Sequence, residues 1–341
     1  MRVVAAPDKF RGTSTAGEIA DAVVRGATSA GATADALPMA DGGEGTLEAL
    51  GGANRQSRVT GPLGPTVDAA WRLVDRSAVV EMAQASGLVL AGGAEGNEPL
   101  DATTAGTGEL IREAVELGAR RVIVAVGGSA TTDGGLGALR AMGSPARYRG
   151  VELLVACDVR TTFAEAAEVF GPQKGASAAQ VEMLRRRLVR LAQQYEEDFG
   201  IDVADLSRSG AAGGLAGGLA AIGAELVDGI DLVAEELALD EVLEGADLVV
   251  TGEGMLDATS YEGKVVGGVS AYAAAAGLPV LVVVGQVAAG LADRSDVVSL
   301  VERFGGERAR SDPAGCVEAV VAEVVGAAVA GASGADQATR R

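Results

Sequence analysis

Short β-branched runs that close into glycine-rich loops recur along this chain, separated by alanine-rich stretches of helical periodicity. Strands are expected at residues 2–6, 34–39, 67–74, 78–82, 121–126, 152–156, 248–251 and 280–284. Helices are expected at 15–30, 103–117, 178–198, 213–222, 264–276 and 316–330. A helix inserted between two strands returns the chain parallel to its first strand, because no tight turn is left to reverse it. Val280-Leu281-Val282-Val283-Val284 is apolar at every position between Pro279 and Gly285, as in a strand covered on both faces. The pattern predicts an α/β fold on a largely parallel sheet.

Residues 56–82 depart from this pattern. Strand-like runs follow one another there across Gly61-Pro62-Leu63-Gly64-Pro65 and Asp75-Arg76, with no helix between them. Antiparallel strands opening a second domain are expected. The predicted organisation is a discontinuous Rossmann-like domain (1–55 with 240–330), an inserted α/β domain (56–239) and a disordered tail (331–341). The glycine-rich stretch 207–218 runs into a helical pattern and reads as a loop entering a helix.

Composition narrows the chemistry. Hydrophobic residues make up 48 % of the 341 residues but aromatics only 3 %, so the core must be built from Ala, Val, Leu and Ile. The formal charge of −19 argues against nucleic acid or an anionic membrane as partner. Two cysteines, Cys157 and Cys316, make no disulfide framework and fit a reducing, cytoplasmic setting. The apolar run at the start is too short for a signal peptide. No segment is expected to cross a bilayer; the best, 278–292, is interrupted by Pro279, Gly285 and Gln286. The absence of histidine excludes His-based triads, imidazole acid/base chemistry and the usual zinc sites.

Only three basic residues are lysines, Lys9, Lys174 and Lys264, against 25 arginines. All three lie in glycine-flanked turns or loops. A compact ammonium enters a phosphate pocket where a guanidinium fork does not fit. Carboxylates recur in the loops at strand ends: Ala40-Asp41-Gly42-Gly43-Glu44-Gly45-Thr46, Gly127-Gly128-Ser129-Ala130-Thr131-Thr132-Asp133, Cys157-Asp158-Val159 and Gly252-Glu253-Gly254-Met255-Leu256-Asp257. Ligands of open α/β sheets bind outside the carboxyl ends of the strands, where glycine lets backbone N–H groups approach a phosphate. No Walker loop is present, since Gly263-Lys264 is followed by Val265. Neither Gly252-Glu253-Gly254 nor Gly106-Thr107-Gly108 gains the third glycine of a dinucleotide fingerprint. Asp, Glu, Lys and backbone amides remain, a set suited to Mg²⁺-dependent phosphoryl transfer, although each loop carboxylate taken alone is more readily a helix cap or an Asx-turn, and the force lies in their number on one sheet edge.

Taken together the loops resemble the bacterial glycerate kinases, the type that includes the glyoxylate-pathway enzymes. The resemblance is carried by Ala6-Pro7-Asp8-Lys9-Phe10-Arg11-Gly12, the Asp41–Thr46 loop, Gly61-Pro62-Leu63-Gly64 and Glu81-Met82-Ala83-Gln84-Ala85-Ser86-Gly87-Leu88. It continues through the Gly106 and Gly127 loops, Cys157-Asp158-Val159, Phe170-Gly171-Pro172-Gln173-Lys174-Gly175-Ala176, Gly210-Ala211-Ala212-Gly213-Gly214, Gly252-Glu253-Gly254 and Gly263-Lys264, in family order over nearly the whole chain. It implies ATP-dependent, Mg²⁺-assisted phosphorylation of a hydroxyl of D-glycerate, with 2-phosphoglycerate favoured, and a site in the cleft between two α/β domains. It places Asp8, Lys9, Arg11, Asp41, Gly42, Gly43, Glu44, Thr46, Gly252, Glu253, Asp257 and Lys264 on one wall. Ser86, Gly127, Gly128, Ser129, Asp133, Asp158, Gln173 and Lys174 fall on the other. Asp158, Asp41, Lys174 and Lys9 are the implied catalytic groups, and Asp41, Asp158 and Glu253 the implied Mg²⁺ ligands.

The chain departs from the family pattern at several of these positions. Family members commonly carry Ser where Lys9 stands, Lys at Arg11, Arg at Asn97 and Met255, and Gln at Thr259. The chain is also shorter around 143–151, and Arg160-Thr161-Thr162-Phe163 replaces an Asn-Pro-Leu stretch. An arginine fork would clamp the carboxylate of glycerate, so the loss at Asn97 and Met255 bears on substrate identity. A kinase for another small hydroxy acid or polyol, and an inactive ligand-binding homologue, stand as alternatives; homo-oligomerisation is left open.

Overall fold

A computed structural model of the chain describes residues 1–289 and 294–339. Contacts divide it into two compact units, Met1–Ala40 with Val233–Arg341, and Asp41–Leu232. Both are α/β, as expected.

The first unit is built on five parallel strands in the order Val297–Ser299, Val280–Val284, Leu248–Thr251, Arg2–Ala5, Thr33–Ala36. Its central strands are buried nearly throughout, which is why they read as continuous apolar runs. The helix Ala16–Ser29 starts in a capping box: Thr15 Oγ1 accepts from Glu18 N at 3.2 Å and Glu18 Oε2 accepts from Thr15 N at 2.9 Å. It buries Ile19, Ala20, Val23 and Ala27 in a core shared with Val317, Val320, Val321 and Val325 of the helix Pro313–Thr339. Each such valine contributes roughly 1.5–3 kcal/mol.

The expectation of no membrane-length segment needs correction. Pro313–Gly331 is long and apolar enough to cross a membrane by length and composition, with a mean hydropathy of 1.7. Glu318 and Glu323 interrupt its apolar runs, but they pair with Arg25 and Arg303 and the intervening valines still form the stripe buried in the core. The 278–292 stretch runs into 290–292, outside the described residues. The Pro313 helix is continuous to Thr339, past residue 331 where a tail is expected, in keeping with an alanine-rich sequence; 340–341 lie outside the described residues.

In the second unit the sheet runs Arg55–Thr60, Thr66–Val74, Ser77–Glu81, Arg121–Ala125, Glu152–Cys157, Glu225–Asp228. The first three strands are antiparallel, as expected of residues 56–82, and the last four are mutually parallel. The lone Trp71 is fully buried and donates its Nε1–H to Ser57 Oγ at 2.9 Å. The units change over at 40/41 and 232/233, where the sequence suggests 55/56 and 239/240. The physical reason is Glu81: its buried carboxylate accepts from Gly45 N and Leu47 N, both at 2.8 Å, which fastens the Asp41–Thr46 loop to the second unit's sheet. Two short edge strands, Glu225–Asp228 and Val297–Ser299, carry no continuous apolar run and were not expected.

Candidate active site

The first unit gathers its charged loops at the carboxyl edge of its sheet. The neighbouring strands Arg2–Ala5 and Leu248–Thr251 end side by side, and their loops continue the pairing: Ala6 N donates to Val250 O and Asp8 N to Gly252 O, each at 2.8 Å. Thr251 Oγ1 locks the pair from beneath by donating to Ala6 O at 2.8 Å. Gly252 admits no side chain, because a Cβ there would collide with the Val283 carbonyl of the next strand. Gly285 N donates to Glu253 O at 3.0 Å, tying in the third loop.

On this frame Asp8 Oδ1 accepts from Lys9 N at 2.7 Å and from Lys9 Nζ at 3.3 Å. Lys264 stands at the start of the helix Val265–Ala275. Asp257 is spent locally: its Oδ1 accepts from Thr259 N at 2.8 Å and Thr259 Oγ1 at 2.6 Å, capping the turn Ala258–Tyr261, and these bonds hold its carboxyl below the usual range. Arg11 is exposed beside Gly254.

Glu253 is the unusual group. It is 9 % exposed, and its Oε1 is buried without a hydrogen-bond partner. Burial pushes its carboxyl up to about 7, helped by the charges of Asp8 and Asp257 and opposed by Ser260 and Lys264. A buried carboxylate oxygen lacking a donor is a place for a cation, and Mg²⁺ needs only one or two protein carboxylates when substrate oxygens and water complete its shell. Among the described residues no three acidic groups form a ready cage. Glu253 fits such an ion as a single ligand.

The stability consequence has a definite sign. The unfolded chain releases this proton near 4.5 and the folded chain near 7, so over that interval the folded state holds the extra proton. In metal-free buffer, folding stability should therefore fall from pH 4.5 to 7, with about 3 kcal/mol as the upper bound for Glu253. Denaturant titrations of Glu253→Gln should lose that slope; an unchanged slope would assign it elsewhere.

The second unit presents a comparable edge. The Asp41–Thr46 loop lies over the strand ends: a Cβ on Gly127 would stand 2.6 Å from Gly43 Cα, and one on Gly229 would collide with the Asp41 carbonyl. Gly42, at φ 85°, accepts Val126 N at 3.1 Å. Asp41 Oδ1 accepts from Gly43 N at 3.2 Å, an Asx-turn, and Glu44 is exposed. Asp158 is exposed directly after the strand Glu152–Cys157.

Several implied ligands instead face inward. Thr46 is fully buried, donating to Gly43 O at 2.8 Å, and Ser86 is fully buried against Thr107 Oγ1 at 2.9 Å. Ser129 is 9 % exposed beside exposed Gly128. Asp133 accepts from Thr104 N and Oγ1, both at 2.9 Å, from Gly135 N at 3.0 Å and from Gly137 N at 3.1 Å. Lys174 is 2 % exposed and donates to Thr131 O at 2.6 Å; burial lowers its ammonium to about 7 while Asp133 holds it up. Gln173 beside it is exposed. Asn97, standing where an arginine is common, donates Nδ2–H to Ala130 O at 3.0 Å and to Lys174 O at 2.9 Å.

The sequence reading missed one pair at this edge. Asp228 ends the strand paired with Glu152–Cys157, opposite Cys157, and its Oδ2 accepts from Arg208 Nη2 at 2.9 Å. Arg208 has a left-handed backbone, φ 75°, which few non-glycine residues adopt. The charges of Arg208, Asp158 and Asp228 all act on the buried Cys157 thiol, whose burial pushes it up to about 12. The signal was Val227-Asp228-Gly229, a carboxylate followed by glycine as in Asp41-Gly42.

Comparison with known proteins gives the family. The profile of the glycerate kinase family matches residues 3–147 and 144–326. A glycerate 2-kinase of Escherichia coli K12 is 37 % identical over 345 residues, covering 89 % of this chain and 88 % of that one. A glycerate kinase of Bacillus subtilis 168 is 38 % identical over 327 residues, covering 84 % and 85 %. A crystal structure from Salmonella typhimurium LT2, of a protein provisionally assigned as glycerate kinase 2, superposes with a TM-score of 0.84 at 36 % identity, over 98 % of this chain and 99 % of that one. With both the family profile and full-length relatives matching, the chain belongs to the glycerate kinase family.

Proposed function

We propose that this enzyme transfers the γ-phosphoryl group of ATP to a hydroxyl of D-glycerate with Mg²⁺, giving 2-phosphoglycerate. The observation that carries the reading is the pair of sheet edges where glycine loops, braced from below, carry lysines and carboxylates without a histidine. Names of relatives support the acceptor and the position phosphorylated. Phosphoryl transfer asks of the protein mainly positioning and charge neutralisation, and this residue set supplies both.

In the first unit Lys9 and Lys264 provide point charges for phosphate oxygens with the amide of Gly252 in the same set of loops, and in the second unit Gly42, Gly43, Gly127 and Gly128 line the loops at the strand ends. Asp158, exposed at its strand end, accepts the proton of the attacking hydroxyl, with Asp41 the next choice. Glu253 is the carboxylate of the first unit that would hold Mg²⁺ and Asp41 or Asp158 that of the second, and the ion when bound would neutralise charge developing on the transferred group. Lys174, Asp133, Thr46 and Ser86 act beneath the loops as positioning residues. The guanidinium of Arg208, fixed by Asp228, takes over the carboxylate fork that Asn97 and Met255 lack. Substrates are small molecules, and the use of ATP and the unpaired cysteines accord with a cytoplasmic enzyme.

ADP release with Mg²⁺-ATP and D-glycerate tests the reading, with phosphorus NMR assigning the hydroxyl. Turnover with a 2-phosphate product is expected. Nucleotide binding without turnover on D-glycerate would overturn the substrate. A panel of hydroxy acids and polyols would then decide for the second reading, a different small acceptor, which Asn97 and Met255 favour.

A further inference from the structure

Thr132 is 2 % exposed and its hydroxyl has no hydrogen-bond partner. It lines a cavity of about 380 Å³ in the second unit, between the 99–103 loop and the helices Leu136–Met142 and Ala178–Phe199. The volume is in the range of small-ligand sites. Leu136, Leu188 and Leu191 make the apolar wall, and exposed Arg140, Arg187 and Arg190 also line it.

A helix carrying arginines is ordinarily a solvated face, and two neighbours behave so: Arg185 and Arg186 pair with Glu182 at 3.0 and 2.7 Å. The three arginines at the cavity have no carboxylate partner among the described residues. In a chain of net charge −19, with 47 acidic residues, unpaired arginines converging on one opening are not a product of composition. Arg187 is also fixed in place, donating Nη1–H to Leu100 O at 2.8 Å. Asp133 on the floor is already saturated by four donors and repels a second anion there, so a charged head belongs among the arginines, where Asp101 is the opposing charge.

We propose that this cavity binds a small organic anion. Its carboxylate or phosphate sits among Arg140, Arg187 and Arg190, and its apolar body lies against Leu136, Leu188 and Leu191. Of the residues given a role in the proposed reaction only Asp133 borders this cavity, as a brace saturated by donors of its own unit, so the inference does not rest on that reading.

Calorimetry on the full chain with hexanoate, 6-hydroxyhexanoate, hexyl phosphate and inorganic phosphate tests it. Saturable one-site binding of hexanoate or hexyl phosphate is expected, tighter than inorganic phosphate, and the preferred head group identifies the anion. Arg187→Gln with Arg190→Gln should weaken it roughly tenfold or more, as loss of charge-assisted hydrogen bonds does. The terminal hydroxyl of 6-hydroxyhexanoate should weaken binding relative to hexanoate, because it sets a polar group against Leu136, Leu188 and Leu191, an arm that holds even if the arginine variants fold poorly. Affinity unchanged by the arginine variants and by the terminal hydroxyl, or no binding of any probe at millimolar concentration, overturns the proposal.

Discussion

Asp133→Ala is expected to lower the folding free energy by about 3–5 kcal/mol, the cost of removing one partner from a buried charged network. Its carboxylate is the acceptor for Thr104 N, Thr104 Oγ1, Gly135 N and Gly137 N, which lie at the starts of the helices Ala105–Glu116 and Leu136–Met142. Truncation leaves these donors without an acceptor and strips the buried Lys174 ammonium of its nearest named counter-charge. Asp133→Asn should recover part of the loss, since its one carbonyl oxygen can still accept while its NH₂ confronts N–H donors. The measurement is a denaturant midpoint at constant slope. An alanine variant with the wild-type midpoint and no turnover would return Asp133 to the substrate side of the loop.

The loops were legible because their chemistry is local. A carboxylate in the loop that follows a strand announces itself in a few residues, as Asp8, Asp41, Asp158 and Glu253 do, with glycine adjacent at Asp41 and Glu253. The antiparallel start of the second sheet was legible for the same reason, since Gly61–Pro65 is a turn whatever surrounds it. What the chain does not write locally is the direction a side chain takes. Thr46, Ser86, Asp133 and Lys174 belong to the same motifs as the exposed groups, yet tertiary packing turns them inward as caps and braces. Glu81 fastens the Asp41–Thr46 loop across more than thirty positions, |i−j| being 36 and 34, and thereby moves the boundary between the units. Arg208 illustrates the converse: its partner Asp228, 20 positions away, is placed by a strand too short and too polar to be read.

Asp158→Asn is expected to cut kcat by roughly 10²–10⁴-fold, the usual contribution of a general base, with the folding midpoint unchanged. The side chain is exposed, so the isosteric amide perturbs no packing; it retains hydrogen bonding but cannot take up the hydroxyl proton. The proposed roles of proton acceptor and Mg²⁺ ligand separate in the same variant. As the base, Asp158 generates the acid limb of the pH profile of kcat/KM, and the variant should lose that limb without responding to more Mg²⁺. As a cation ligand it would instead raise the Mg²⁺ concentration needed for half-maximal rate, and excess Mg²⁺ would restore much of the turnover. Near-wild-type rates at ordinary Mg²⁺ would remove both roles from Asp158 and transfer the bet to Asp41. Its Asx-turn with Gly43 N uses Oδ1 and leaves Oδ2 as the oxygen that would have to serve.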